Sequence, residues 1–421
     1  MKRWLAFGSL LLMAACGSSS TTASTVTPNS TPSTQAQPSV PPLQSSSPGA
    51  GGRSPQPTPP TPPAIKCNAG AAGSALVMIG GGYGSASVIY DVTDPLHPRL
   101  VCTINFTTAH LVTGDTFAYL KPVSANETDI ILHSLGSGNE SKTGSFPHTL
   151  SDPVRGDIED PAWTPDGGLL AYTVSDENAL KVTVWLYSGG QTKAVHTYGQ
   201  PIGDCICRFG LPGAVLAFSP DRQYLANGWV AGKGSTGITV IRLSDGTTAL
   251  TADTQFTNAI WGRGSGHQLF LAGSFSSATE VWTPEACLKG LPGGPWQFVQ
   301  GISPDGSEAT YTAYADPNTF LQPRVYAYDL KAQTGGHPVI DKLRAESIFV
   351  KDGWLWYDEE KACTAADQCP GSTTPTGAFF AMQLSTGVEQ AVTFAAGENP
   401  SPGLLQGIWN FGGPAEYWPA T

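Results

Sequence analysis

Short runs of apolar and β-branched residues follow one another along the chain from residue 75 onward, and turn residues separate them. The first three runs are 75–79, 87–92 and 100–104. Runs of this length, bounded by Gly, Pro, Asp and Asn, predict β-strands joined by tight turns. We therefore expect an all-β domain.

One turn sequence recurs before several of these runs. Each copy reads apolar residue, Ser or Thr, Pro, Asp and usually Gly, and the clear copies are 162–167, 217–222 and 301–306. Pro sets φ for a type I turn, Asp bonds to its own backbone, and Gly takes the position with φ above zero. The pattern predicts a hairpin in which the apolar residue ends one strand and the following run forms the next.

The spacing of these turns indicates a repeat. Pro220 and Pro304 are 84 residues apart, which is two steps of 42, and a weaker copy lies midway, at 260–264. Pro165 and Pro220 are 55 residues apart because an insertion lies between them. A period in the forties with several strands per unit is typical of a β-propeller.

At these turns the sequence resembles the TolB-like, PD40 (WD40-like) family of bacterial β-propellers, over roughly its last 350 residues. The segment 91–98, Asp-Val-Thr-Asp-Pro-Leu-His-Pro, also resembles a signature of surface-exposed bacterial propellers. The resemblance implies a propeller fold. It implies no single function, because the family includes both envelope scaffolds and the propeller halves of peptidases.

The strand runs group into seven blades of four strands, with six or eight blades as the alternatives. After a first blade within 75–106, the units lie at about 111–146, 158–198, 214–252, 257–291, 297–340 and 347–394. The first blade has only three strands. We predict that the tail segment 404–409 supplies the fourth, which would close the ring and remove its two open edges.

The N-terminal residues predict export and lipid attachment. Residues 1–16 read as a signal peptide whose end, Leu-Met-Ala-Ala-Cys, resembles a bacterial lipobox with lipid on Cys16; an ordinary secretory signal is the alternative. Residues 17–65 are rich in Ser, Thr and Pro and predict a disordered linker, and 66–421 form the propeller. We expect an extracytoplasmic bacterial protein, anchored by its lipid to the cell membrane or cell surface.

The charge balance narrows the class of partner. The formal net charge is −11, and no basic stripe interrupts it, so nucleic acid is a poor candidate ligand. An envelope protein or polysaccharide suits the expected location better. The sequence does not indicate an oligomeric state.

The remaining cysteines suggest disulfides, because an exported protein can form them. We predict Cys363–Cys369 across a short loop and Cys67–Cys102 at the start of the domain. The remaining three cysteines allow one further bridge, in which one residue of the Cys-Ile-Cys segment pairs with the third cysteine: Cys205, Cys207 and Cys287. The Cys-Ile-Cys spacing is not that of a zinc knuckle, so we predict no metal and no other cofactor.

Candidate ligand-binding residues are few. Asp157, Glu159 and Asp160 precede the inner strand of the third unit, near a face where propellers bind ligands, and Trp296 is a candidate platform for a sugar ring. Solvated carboxylates and a core tryptophan are the alternatives. We interpret 358–360, Asp-Glu-Glu, as solvated as well.

No segment matches a catalytic motif. The segment 262–266, Gly-Arg-Gly-Ser-Gly, lacks the spacing of the serine-hydrolase elbow, and a strand rather than a helix follows the glycine-rich segment 80–84. We therefore expect no catalytic residues and a scaffold or binding role toward a protein or an envelope polymer. The alternatives are a glycan hydrolase or lyase with carboxylates in the propeller funnel, and a solute-sensing propeller.

Overall fold

The computed structural model describes most of the predicted propeller, in short ranges. These are 64–68, 75–79, 87–105, 109–112, 115–124, 127–146, 158–164, 167–176, 181–199, 216–231, 235–252, 256–262, 268–273, 280–285, 287–291, 298–303, 305–313, 322–364, 373–398, 400 and 416–419.

The strands of the first four blades follow the predicted units closely. Blade 1 contains β1 (Ile65–Cys67), β2 (Ala75–Ile79), β3 (Ser87–Asp91), β4 (Arg99–Ile104) and the C-terminal β29 (Glu416–Pro419). Blade 2 contains β5 (His110–Val112), β6 (Thr116–Ser124), β7 (Glu127–Ser134) and β8 (Glu140–Phe146). Blade 3 contains β9 (Ile158–Trp163), β10 (Leu170–Asp176), β11 (Lys181–Ser188) and β12 (Gln191–Gly199). Blade 4 contains β13 (Leu216–Phe218), β14 (Tyr224–Ala231), β15 (Ser235–Arg242) and β16 (Thr248–Ala252).

The last three blades have the same antiparallel order. Blade 5 contains β17 (Phe256–Trp261), β18 (Leu269–Gly273), β19 (Glu280–Thr283) and β20 (Cys287–Gly290). Blade 6 contains β21 (Phe298–Ile302), β22 (Glu308–Ala313), β23 (Arg324–Asp329) and β24 (Thr334–Pro338). Blade 7 contains β25 (Arg344–Phe349), a 3-10 turn (Lys351–Gly353), β26 (Trp354–Ala362), β27 (Thr373–Gln383) and β28 (Val388–Ala391).

The seven sheets form a ring, and the first strand of blades 2 to 7 is the innermost strand of its blade. Innermost strands of neighbouring blades contact each other, as β9 and β13 do, and β21 and β25. Apolar side chains pack between blades: Val77 and Tyr90 of blade 1 share a buried cluster with Trp356 of blade 7. The predicted seven-bladed propeller is confirmed.

The recurring turns have the predicted backbone geometry. In blades 3 and 6, the N–H groups of Gly167 and Gly306 donate to the carbonyls of Thr164 and Ser303, each at 2.8 Å, and both glycines have φ near 67°. In blade 4, Arg222 takes the same position with φ 59°. An L-residue in this left-handed region costs roughly 1–2 kcal/mol, so the rest of blade 4 compensates for the missing glycine.

The aspartate of the turn also acts as predicted. In blade 6, Asp305 Oδ1 accepts hydrogen bonds from the Ser307 and Ser303 hydroxyls, both at 2.7 Å, and from the Ser307 N–H at 3.1 Å. These bonds hold the pKa of Asp305 at about 2. The turn is therefore tied together by its own side chains.

The C-terminal strand closes the ring. Strand β29 pairs antiparallel with β2, with Glu416 opposite Met78 and Pro419 opposite Ala75, and is the innermost strand of blade 1. Closure by a C-terminal strand is confirmed. The segment predicted to form it, 404–409, lies outside the described residues. Both segments combine apolar and aromatic residues, so the pattern alone could not choose between them.

A second connection joins blade 7 to blade 1 ahead of that strand. We call the segment 392–398 the closing strap. The Val392 N–H donates to the Phe379 carbonyl of blade 7 at 2.9 Å, and the Thr393 N–H donates to the Leu96 carbonyl of blade 1 at 2.8 Å. The strap is thus bonded to both blades.

Blade 1 has a fifth strand that the sequence did not predict. Strand β1 pairs with β4 at the outer edge of the blade, with Ile65 opposite Ile104. Cys67 lies opposite Cys102, and the two form a disulfide. The predicted bridge therefore covalently joins the first strand of the domain to the body of blade 1.

Replacing both Cys67 and Cys102 by Ser should lower the free energy of unfolding by about 2–4 kcal/mol. The bridge links residues 35 positions apart, so its loss gives the unfolded chain more conformational freedom. Urea unfolding without reductant measures the change, with Lys66→Ala, an exposed position in the same strand, as the control. A double variant as stable as the control would contradict the expected role of the bridge.

The connections between strands divide between two faces of the ring. The strand ends joined by connections from the second to the third strand of a blade, and by connections from one blade to the next as far as blade 7, lie on one face, the long-loop face. The remaining turns within the blades lie on the opposite, short-turn face and span at most seven residues. Five connections between strands have ten residues or more. Four of them join strand ends on the long-loop face, at 147–157, 200–215, 314–323 and 363–372, and the fifth, 392–415, contains the closing strap.

Candidate functional site

Two of the four predicted ligand-binding residues belong to a described strand. Glu159 and Asp160 lie in β9, at the end of that strand nearest the long-loop face. Asp157 and Trp296 lie outside the described residues. Their role in binding stays a prediction.

The other predicted cysteine sites are only partly described. Cys363 is disulfide-bonded, but Cys369 lies outside the described residues, so their mutual pairing stays a prediction. Cys287 begins β20. Three further cysteines lie outside the described residues: Cys16, Cys205 and Cys207.

One tryptophan that the sequence did not assign to the core proves to be buried. Trp282 is 2% exposed and packs edge-to-face against Trp261, with ring centroids 6.1 Å apart, and against Tyr224. Trp282 lies in the four-residue strand β19, which no motif turn precedes, so only the neighbouring side chains reveal its burial.

The innermost strands share a β-bulge. The register between the first and second strands shifts in blades 5, 6 and 7, which leaves Thr257, Gln300 and Glu346 as the extra residues. A bulge leaves one residue unpaired and re-aims its side chain. In blade 7 this residue, Glu346, has φ 52°, which is uncommon for a residue other than glycine.

The bulge of blade 7 belongs to a buried group of acids, which we call the carboxyl cluster: Glu346, Asp358 and Glu360. Their exposed fractions are 3%, 2% and 6%. Within the described part of the chain, Glu346 Oε2 and both carboxyl oxygens of Asp358 accept no hydrogen bond. Buried polar atoms are nearly always paired, so this cluster is unusual.

The surroundings of Glu346 and Asp358 favour the neutral forms of these two carboxyl groups. Burial, and then the charges of Asp358 and Glu360, raise the pKa of Glu346 well above its usual range. Burial, and then the charge of Glu360, do the same to the pKa of Asp358. No lysine or arginine of the described residues offsets either effect.

The nearby Arg344 is bonded to other acids. Its Nε donates to Glu389 Oε1 at 2.9 Å and its Nη1 to Glu359 Oε1 at 3.3 Å. Burial opposes the ionisation of Glu389, but hydrogen bonds from Arg344 and Lys342 outweigh it and lower the pKa of Glu389. The buried arginine is therefore paired outside the carboxyl cluster.

The interpretation of 358–360 as solvated carboxylates is wrong for two of the three residues. Asp358 and Glu360 are buried in β26, whereas Glu359 is partly exposed. The burial comes from packing within blade 7 and against its neighbours. A run of three acidic residues in the sequence does not reveal such packing. Glu346 was not singled out, because it lies just before the predicted seventh unit, 347–394, whereas the structure places it inside β25.

Two further features are absent from the described residues, a metal-binding cluster and a membrane-spanning helix. Among them, no group of three or more His, Cys, Asp or Glu side chains is arranged to hold a metal ion. In the same part of the chain, no helix is long and apolar enough to cross a membrane.

Seven antiparallel blades, closed by a C-terminal strand, define the chain as a β-propeller. No family model matches its sequence, and no curated protein matches it either. Solved structures resemble it in part.

Three solved structures illustrate the likeness. The β-propeller domain of the Trilobed protease from Pyrococcus furiosus is 12% identical, with a TM-score of 0.43, over 68% of this chain and 83% of that one. TolB from Acinetobacter baumannii is 14% identical, with a TM-score of 0.37, over 62% of each chain. Dipeptidyl peptidase 4 from Porphyromonas gingivalis is 13% identical, with a TM-score of 0.47, over 76% of this chain and 50% of that one. At these identities the likeness extends to the fold alone.

Proposed function

We propose that this protein is a non-catalytic, lipid-anchored β-propeller outside the bacterial cytoplasm that binds a protein or an envelope polymer through its long-loop face. The observation that carries the proposal is that four of the five connections of ten or more residues join strand ends on that face, whereas the fifth contains the closing strap. Binding residues concentrate on loops that a rigid scaffold positions.

The attachment of the first strand supports a tethered role. The proposed linker, 17–65, leads into β1, which the Cys67–Cys102 disulfide joins to β4. A force applied to the linker would therefore be transmitted to blade 1 through the Cys67–Cys102 disulfide as well as through the three-residue strand β1.

The glycan hydrolase or lyase alternative gains no support from the carboxyl cluster. Glycoside hydrolysis requires two carboxyl groups about 5–10 Å apart that both reach the substrate. Glu346 and Asp358 are at most 3% exposed, so a polymer cannot reach them in this arrangement.

Lipid attachment is tested by replacing Cys16 with Ala in the full-length chain, expressed in a bacterial host. We expect the variant to lose labelled fatty acid and to leave the membrane fraction, whereas Ser18→Ala should behave as the wild type. A Cys16→Ala variant that keeps the label would overturn the anchored form of the proposal.

The binding face is tested with a photo-crosslinking amino acid at one of two exposed valines. Val123 is 57% exposed at the long-loop end of β6, and Val388 is 56% exposed at the short-turn end of β28. In intact cells we expect a crosslinked partner from position 123 and none from position 388. The reverse result would assign binding to the short-turn face.

A further inference from the structure

We propose that the carboxyl cluster is a pH-sensitive joint within blade 7, closed while Glu346 and Asp358 hold protons and loosened when these two groups ionise. The cluster lies on β25 and β26, in the half of the blade nearest the long-loop face. This inference stands apart from the proposed binding role and does not depend on it.

The cluster is held rigidly against blade 6. The Glu346 N–H donates to Thr312 Oγ1 at 3.0 Å, and the Ser347 hydroxyl bonds to Thr310 Oγ1 at 3.0 Å. Both threonines are 0% exposed. The backbone at the bulge is therefore fixed, and Glu346 cannot turn toward water without disturbing the contact between blades 6 and 7.

The charged residues on the packed strands are engaged elsewhere or add negative charge. Within blade 7, Arg344 bonds to Glu389 and Glu359, the Tyr357 hydroxyl donates to Glu389, and Lys361 is exposed. On blade 6, Arg324 bonds to Asp341 at 3.0 Å, and the other titratable residues of β21 to β23 are Glu308, Tyr311, Tyr326, Tyr328 and Asp329. On blade 1, Arg99 bonds to Asp91, and the Tyr90 hydroxyl donates to the Glu398 carbonyl. The charges acting on Glu346 are those of Asp358 and Glu360.

The direction of the pH effect follows from this arrangement. Ionising a buried carboxyl group without an opposing charge is unfavourable, and the first ionisation opposes the second. Above the unfolded-state values of about 4, the folded protein keeps protons that the unfolded chain releases. The stabilising contribution is complete below those values and is lost as the pH rises through the raised folded-state values, by about tenfold in the folding equilibrium constant per pH unit for each retained proton.

The variants Asp358→Asn and Glu346→Gln test the joint, because each amide keeps the shape and removes the titration. We compare their urea unfolding with that of the full-length wild type between about pH 5 and pH 8. In each variant the folding equilibrium constant should fall less steeply with rising pH than in the wild type. The difference should be about a factor of ten per pH unit, which is the contribution of one retained proton. Asp352→Asn, an exposed position in the same blade, should keep the wild-type slope. Equal slopes in all proteins would overturn the proposal.

Hydrogen exchange of the wild type gives a second measurement that needs no variant to fold. After correction for the intrinsic pH dependence, peptides from 344–362 should lose protection as the pH rises, while peptides from 235–252 in blade 4 keep theirs. Uniform loss in both blades would overturn the proposal. If calcium or magnesium chloride restored the protection of 344–362 at neutral pH, the cluster would be a cation site instead of a proton-dependent joint.

Discussion

Deleting residues 412–421, which removes β29, should open the ring and lower the free energy of unfolding by at least about 4–6 kcal/mol. That is a large part of the roughly 5–15 kcal/mol that stabilises a typical domain. The four paired residues of β2, Ala75 to Met78, are each at most 3% exposed, and they would lose both ladder hydrogen bonds and burial. Urea unfolding followed by circular dichroism measures the loss.

A chain that ends at Pro419 is the matched control, because it lacks only Ala420 and Thr421 and keeps β29. It should unfold as the wild type does. A synthetic peptide of residues 412–421, added in excess, should restore part of the stability of the truncated protein. If the truncated chain kept the wild-type midpoint, β29 would not be the element that closes the ring.

Replacing Trp356 by Ala should cost about 3–5 kcal/mol, the usual range for a fully buried tryptophan. Trp356 is 0% exposed, shares a buried cluster with Tyr90 of blade 1, and lies 6.1 Å from the Phe394 ring of the closing strap. Its Nε1 also donates to the Pro95 carbonyl of blade 1 at 2.9 Å. Thermal and urea unfolding measure the effect.

The neighbouring Trp354 provides the comparison for this variant. It lies in the same strand and packs against the same cluster, but it is only partly buried. Trp354→Ala should cost clearly less than Trp356→Ala, and Trp356→Phe should retain part of the packing while losing the hydrogen bond to Pro95. Equal losses at 354 and 356 would show that contact between blades 7 and 1 does not decide the cost.

Removal of β29 and replacement of Trp356 both act where blades 7 and 1 meet and the ring closes. Blades 7 and 1 are joined by the closing strap and by packing around Trp356, and β29 completes blade 1 from the inside. The carboxyl cluster lies in the same closing blade. A change of protonation there would therefore act on a blade that the ring depends on for closure.

The predicted turns show what local sequence can determine. Pro and Asp, followed by a residue with φ above zero, close each hairpin through hydrogen bonds within six residues. The local sequence therefore determines the geometry of these turns. Strands within a blade are neighbours in sequence, which is why seven units could be counted from the spacing alone. The Cys67–Cys102 pair was also predictable, since it joins the start of the domain to the first blade.

The candidate site could not be predicted in the same way. Asp358 and Glu360 read as solvated acids, and Glu346 carried no motif, yet the three are buried together. The bulge that places Glu346 is a property of the pairing between β25 and β26, and the hydrogen bond from its N–H reaches Thr312 in another blade.

The sequence by itself determined the all-β fold, the repeat, the turn geometry and one disulfide of this protein. Only the tertiary structure decided that β29 is the closing strand, that Trp282 is core and that the carboxyl cluster exists. The physical reason is the separation in sequence between the residues that interact. Turns and hairpins depend on residues a few positions apart, whereas the burial of side chains and the closure of the ring depend on contacts between blades that are distant in sequence.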